Sequence, residues 1–155
     1  MMNANKMRLR LAMLSVLVLI LLATASLSLA QTSPPTPNPS LMFLGQEPYT
    51  ANGKSWIRYK YLVENFADFP NTLFAAAPAL PPCGSNTKAS RTWVDIFDAR
   101  GKRLYGFCAL GSNADLGKLW FAMEEGVVPP SWIYIEMNDR QNQVKYKSGL
   151  AETTQ

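Results

Sequence analysis

Any chemistry in this chain has to be done without histidine, because none of its 155 residues is one. That excludes His-ligated zinc or copper and every Ser-His or Cys-His nucleophilic arrangement. The two cysteines, Cys83 and Cys108, are expected to pair as one disulfide in an exported chain, which leaves no thiolate. Carboxylate and lysine chemistry remains. The candidate acids are Glu64, Asp95, Glu124 and Glu125, but a glycosidase needs two carboxylates facing each other across a groove, and no spacing here places two of them so. Solvated surface acids are the plainer expectation. A calcium site built on Asp98 or Asp115 is chemically conceivable, yet neither lies in a ligand-spaced run, and a turn-forming aspartate explains each more simply. No metal and no cofactor is expected. Once Asn38-Pro39-Ser40 is set aside for its proline, no N-glycosylation acceptor remains.

The other chemistry-bearing group is aromatic. Trp93, Tyr105 and Phe107, with Trp132 and Tyr134 from a neighbouring strand, are expected to share a sheet face with Asp95 and Arg103. Exposed aromatics interspersed with polar groups have the composition of protein or sugar recognition surfaces. Burial of the same rings beneath a long loop is the competing reading, and "DLGKLWFAME" raises the same question for Trp120 and Phe121.

Strands must position these residues. In "SWIRYKYLVEN", Ile57, Tyr59, Tyr61 and Val63 alternate with Arg58, Lys60 and Glu64, the period of a half-buried strand. "LMFLGQE" precedes it, joined through Asn52-Gly53, a strong hairpin signal. "RTWVDIF" and "RLYGFCAL" flank "DARG", and "LWFAM", "SWIYIEM" and "VKYKS" follow, each bounded by turn residues. Seven short strands without an amphipathic helix predict an all-β antiparallel two-sheet sandwich. At "DARG", a three-residue loop with Gly101 left-handed pairs Asp98 with Lys102. Simple counting then sets Ile96 against Leu104, Val94 against Gly106 and Thr92 against Cys108 on the core face. Phe97 meets Arg103, Asp95 meets Tyr105 and Trp93 meets Phe107 outside.

The segment from Phe66 to Ser90 contains "LFAAAPALPPCGSN", apolar but barred by its prolines from a central strand. A connection of about 25 residues is too long to be structureless in a compact domain. The Cys83–Cys108 crosslink brings it beside the "DARG" hairpin, where Leu73, Phe74 and Leu80 are expected to cap the edge of the core. Folding over Trp93 and Phe107 is the alternative path.

The strand order, Trp56 at the start of the second strand and the run "EEGVVPPSWIYIEM" together resemble fibronectin type III and immunoglobulin-like sandwiches, in which a proline or glycine turn precedes a strand with alternating aromatics. The resemblance covers roughly residues 41–148 and concerns architecture alone. It implies about seven strands in two sheets and transfers no activity. The chain departs from that pattern in its disulfide, which is not the inter-sheet pair of antibody domains, and in its long 66–90 connection.

The N-terminus predicts export. Lys6, Arg8 and Arg10 precede an apolar run from Leu11 to about Leu22, then small residues up to Ala30, the layout of a signal peptide over residues 1–30 cleaved between Ala30 and Gln31. Cleavage after Ala25 is a second choice, and an uncleaved anchor over Leu11–Ala30 a third. The signal holds three of the 15 cations and none of the 11 acids, so the mature chain carries 12 against 11. No basic block remains to attract nucleic acid or anionic lipid. Residues 31–40, "QTSPPTPNPS", read as a disordered proline-rich spacer, 41–149 as the sandwich domain and 150–155 as a flexible tail.

These readings converge on a secreted or periplasmic, non-catalytic binding or structural module that contacts a protein or glycan through the aromatic face. Membrane contact is expected only through an uncleaved signal. The alternative is a small carboxylate-dependent extracellular hydrolase using Asp95, Glu64 or Glu124. A protease inhibitor presenting the rigid "PALPPCG" loop is a third.

Overall fold

The computed structural model describes residues 35–83 and 89–154. The expected signal peptide, its Ala30–Gln31 boundary and the first part of the spacer lie outside the described residues, as do 84–88 and Gln155. Among the described residues no helix is long and apolar enough to cross a membrane.

Among the described residues the fold is all-β, with eight strands in two antiparallel sheets: β1 (Leu41–Ala51), β2 (Lys54–Val63), β3 (Thr92–Asp98), β4 (Arg103–Phe107), β5 (Leu119–Glu124), β6 (Trp132–Asp139), β7 (Val144–Lys147) and β8 (Ala151–Glu152). One sheet has the order β1-β2-β5; the other runs β4-β3-β6-β7, with β8 also on β6. The seven segments read as strands from their alternation are β1 to β7.

Alternation explains the core. Tyr59, Tyr61 and Val63 of β2, Leu119 and Phe121 of β5, Val94 and Ile96 of β3, and Ile133, Ile135 and Met137 of β6 are all buried in one cluster. Successive strand residues point to opposite faces, so each strand gives every second side chain to the space between the sheets. Aromatic rings meet there, with Tyr59 stacked on Phe121 at 5.0 Å between centroids and Phe43 tilted against Tyr61 at 5.2 Å. Burying each such side chain contributes roughly 1.5–3 kcal/mol. Burial also pushes the Tyr61 hydroxyl well above its ordinary pKa.

Turn chemistry sets the hairpins. Asn52 and Gly53 both take positive φ, 54° and 72°, and close β1 onto β2 through the Ala51–Lys54 pair. This is the two-residue loop that suits strand twist. At the second hairpin Gly101 has φ 84°. The Asp98 amide donates to the Lys102 carbonyl at 2.9 Å, confirming the three-residue loop.

Beyond that turn the register differs from simple counting. Phe97 does face Arg103, but a bulge lies between Ile96 and Phe97, after which Ile96 faces Tyr105, Asp95 faces Gly106 and Val94 faces Phe107. One extra residue, Leu104, sits opposite the break. A one-residue shift moves every later side chain to the other face, so Phe107 packs against the core, Tyr105 leaves the outer face for the open edge beside Trp120 and Gly106 turns out.

The long connection packs much as its composition requires. Residues Phe66–Asp68 and Asn71–Leu73 form two 3-10 turns. Phe69, Leu73 and Phe74 enter the core cluster, whereas Leu80 is only half-buried. An isolated bridge pairs Ala76 with Ser90, and the Ser90 amide donates to the Cys108 carbonyl at 2.8 Å. The expected disulfide is present, Cys83 to Cys108, with Cα atoms 6.1 Å apart. The segment therefore closes one end of the second sheet and is covalently fastened to the residue after β4.

The stretches just before β1 and after β7 add contacts that composition does not reveal. The Ser40 amide donates to Asn65 Oδ1 at 2.8 Å, and Asn65 Nδ2 donates to the Asn38 carbonyl. In the stretch expected as a flexible tail, Ala151–Glu152 form β8, and Ala151 and Thr153 are buried. β7 and β8 follow one edge of β6, interrupted where the Ser148 hydroxyl accepts the Ile135 amide at 2.9 Å. That hydroxyl replaces the missing ladder partner. β1 is an edge strand with a bulge between Phe43 and Gly45 and with Pro48 in its length.

Candidate functional site

The seven residues singled out from the sequence divide between two places. Trp93, Asp95, Trp132 and Tyr134, together with Arg103, belong to the outer face of the second sheet, in register across β3, β4 and β6. Tyr105 and Phe107 do not, because of the Leu104 bulge.

On the outer face most groups are already engaged. The Arg103 guanidinium donates from Nε to Asp95 Oδ1 at 2.6 Å. Tyr134 stacks on Phe97 at 5.3 Å, and the Lys147 ammonium lies 3.9 Å from its ring centre. The Arg140 guanidinium sits 4.0 Å over Trp93 while donating to the carbonyls of Ser90 and Pro81. Trp93 is therefore capped by a side chain that also ties down the proline-rich segment. Trp132, 42% exposed, is the open ring of this group.

Gly106 makes the Asp95–Arg103 pair possible. A Cβ there would collide with Arg103 Nη2 and Asp95 Oδ1. Gly106→Ala should displace the guanidinium and cost about 1 kcal/mol, the worth of an exposed, well-formed pair. Urea melts of this variant and of Arg103→Gln should shift by similar amounts, and combining the two should add little.

Tyr105 and Phe107 take part in a different constellation, which crosses from one sheet to the other. Tyr105, 37% exposed, meets Phe107 at 5.1 Å and Trp120 of β5 at 4.7 Å. Trp120 faces Lys60 on the outer side of the first sheet. There the Arg58 guanidinium lies between two rings, 4.8 Å from Trp120 and 4.5 Å from Tyr49. Tyr49 in turn stacks on Trp56 at 6.4 Å. Glu47 fixes the cations, accepting from Lys60 Nζ at 2.8 Å and Arg58 Nη1 at 3.2 Å. Its carboxyl is held below the ordinary value, first by the Lys60 hydrogen bond. Beside this line Leu44, Gly117, Lys118 and Trp120 border a shallow pocket of about 290 Å³. Cation–π stacking and edge-on aromatic contacts each contribute roughly 0.5–2 kcal/mol, so the line is held in place before any partner arrives.

Alternation sets Arg58 and Lys60 opposite the buried face of β2 and leaves Trp120 between surface and core, but the line draws on β1, β2, β4 and β5. Pairing in the sheet β1-β2-β5 brings Tyr49, Arg58 and Trp120 together, and the bulge with the meeting of β4 and β5 adds Tyr105. No local pattern carries that information.

The acids are held separately. Glu64 accepts the Ser40 hydroxyl at 2.8 Å, Asp95 holds Arg103, and Glu124 holds Lys54 at 2.7 Å. Asp98 Oδ1 accepts the amides of Arg100 and Lys102, and Asp115 Oδ2 those of Gly111 and Ser112. Both therefore serve turns. Among the described residues no group of three or more His, Cys, Asp or Glu is placed to hold a metal ion. Comparison with protein-family models, with curated proteins and with solved structures finds no match to this chain.

Proposed function

We propose that this chain is an exported, non-catalytic binding or structural module that contacts a protein or glycan through aromatic side chains. The observation that carries the reading is the Tyr49–Arg58–Trp120–Tyr105 line. Tyr, Trp and Arg are the residues enriched where interfaces concentrate their energy. Here they form one connected, pre-positioned strip whose end, Tyr105, is open to solvent. The outer face around Trp132 belongs to the same reading as a second aromatic surface. The strand order supports the immunoglobulin or fibronectin type III resemblance: first, second and fifth strands in one sheet, and third, sixth and seventh in the other with the fourth beside the third. Such sandwiches place that division at their core.

A photo-crosslinking residue at position 105, compared with one at exposed Val144 on the opposite side of the second sheet, tests the proposal in native extracellular material. A single discrete adduct from position 105, reduced about 30-fold or more by Trp120→Ala as for a central interface residue, is the expected result. Equal labelling from both positions, or an adduct indifferent to Trp120→Ala in a variant whose melt shows it folded, overturns it.

A further inference from the structure

Between the β3–β4 turn and the connection from β5 to β6 lies a groove of about 460 Å³, lined by Arg100, Lys102, Leu104, Met123, Pro129 and Trp132 among others. Leu104 and Met123 also pack against the core, so its apolar base is fixed. Its rim is held as well, since the Ala99 amide donates to the Trp132 carbonyl at 3.1 Å and ties the turn to β6. Val128 is 85% exposed beside it.

The polar groups of this groove are distinctive. Arg100 and Lys102 make no ion pair among the described residues. The Asp98 carboxylate between them is turned to their backbone amides, at 2.9 and 2.8 Å. Pro129 and Pro130 carry no N–H, the Pro130 carbonyl accepts the Thr153 hydroxyl, and the Val127 amide is spent on the Glu124 carbonyl. The wall therefore offers little backbone to an extended peptide, whose recognition by strand addition depends on main-chain hydrogen bonds. An exposed indole, a proline wall and two available cations remain.

We infer that this groove binds an acidic polysaccharide, with the apolar face of a uronate ring against Trp132 and Pro129 and its carboxylate on Arg100 and Lys102. The guanidinium matches a carboxylate bidentately, and the ammonium adds a second donor. The inference rests on the reading of the Trp132 surface as an aromatic binding face and names its ligand class; it shares no residue with the Tyr49–Arg58–Trp120–Tyr105 line, whose failure would leave it standing.

Titration of the full mature chain with polygalacturonate, followed by tryptophan fluorescence and calorimetry, tests the inference. Neutral dextran and poly-glutamate serve as controls. Saturable binding to polygalacturonate is expected, weakened about tenfold or more by Trp132→Ala and by the double variant Arg100→Gln/Lys102→Gln, and unchanged by Tyr105→Ala. These side chains are exposed, and unchanged melting curves verify that the variants fold. No binding, equal binding to dextran, or binding indifferent to both variants overturns the inference. Poly-glutamate binding as tightly as polygalacturonate does too, since it makes the occupant an acidic peptide.

Discussion

Replacing Asp139 with alanine should destabilise the protein by about 3–5 kcal/mol, the range for removing one partner of a buried ion pair. The Asp139 side chain is 1% exposed and that of Arg91 is 18% exposed. The guanidinium binds as a fork, Nε donating to Oδ1 at 2.7 Å and Nη2 to Oδ2. The amides of Gln141 and Asn142 also donate to Oδ1 and shape the turn that follows β6. Without the carboxylate all of these donors lose their acceptor, and the Arg91 charge is left against the core. The Arg91 hydrogen bond is the main reason the Asp139 carboxyl lies below its ordinary pKa, outweighing the opposing effect of burial. A depressed folded-state pKa means that the pair contributes fully above the unfolded carboxylate range, near ~4, and is lost as pH falls through the folded value. Asp139→Asn should therefore be far less stable than the parent at pH 7, with the gap narrowing toward pH 3. Urea melts at the two pH values decide it. A gap under about 1 kcal/mol at pH 7 would be a surface pair's worth and would contradict this account.

The second large effect concerns the crosslink. Cys83→Ser/Cys108→Ser should lower stability by about 3.5 kcal/mol on the chain-entropy estimate for a loop of this size, the two cysteines being 25 residues apart. The loss should be visible locally. Phe69, Leu73 and Phe74 keep the front of the connection in the core, whereas residues 75–82 lean on the Ala76–Ser90 bridge, the Arg140 donation to Pro81 and the disulfide. Limited proteolysis of the double variant should cut first within 75–82, with the parent resistant at the same dose. If stability fell but that stretch stayed protected, the bridge and Arg140 would suffice to hold it. The crosslink would then act only on the unfolded chain.

The strands were legible because the sequence alternates where a sheet has one wet and one dry face. Ile57, Tyr59, Tyr61 and Val63 in β2 and Thr92, Val94 and Ile96 in β3 carry that pattern without a break. The turns were legible because Asn52-Gly53 and Gly101 supply the positive φ their hairpins need. The pairing of Cys83 with Cys108 followed from there being two cysteines. What escaped was non-local. The Leu104 bulge has no composition of its own, yet it sends Tyr105 and Phe107 to meet Trp120. β8 is two residues long and exists only because β6 offers Trp132 and Ile133 as partners. The Arg58 sandwich needs rings from β1 and β5 on either side of one β2 residue. Each of these depends on which strands become neighbours, a property of the assembled sheets.

The irregular outer strand at the N-terminal side bears on how the molecule behaves in a crowd. With Leu44 left unpaired at the bulge before Gly45 and Pro48 lacking an amide donor, the border of β1 away from β2 is a poor template for another copy to lengthen into a continuous ribbon. Straightening it, with valine in place of Gly45 and Pro48, should raise the chain's tendency to form fibrils even if the fold itself survives.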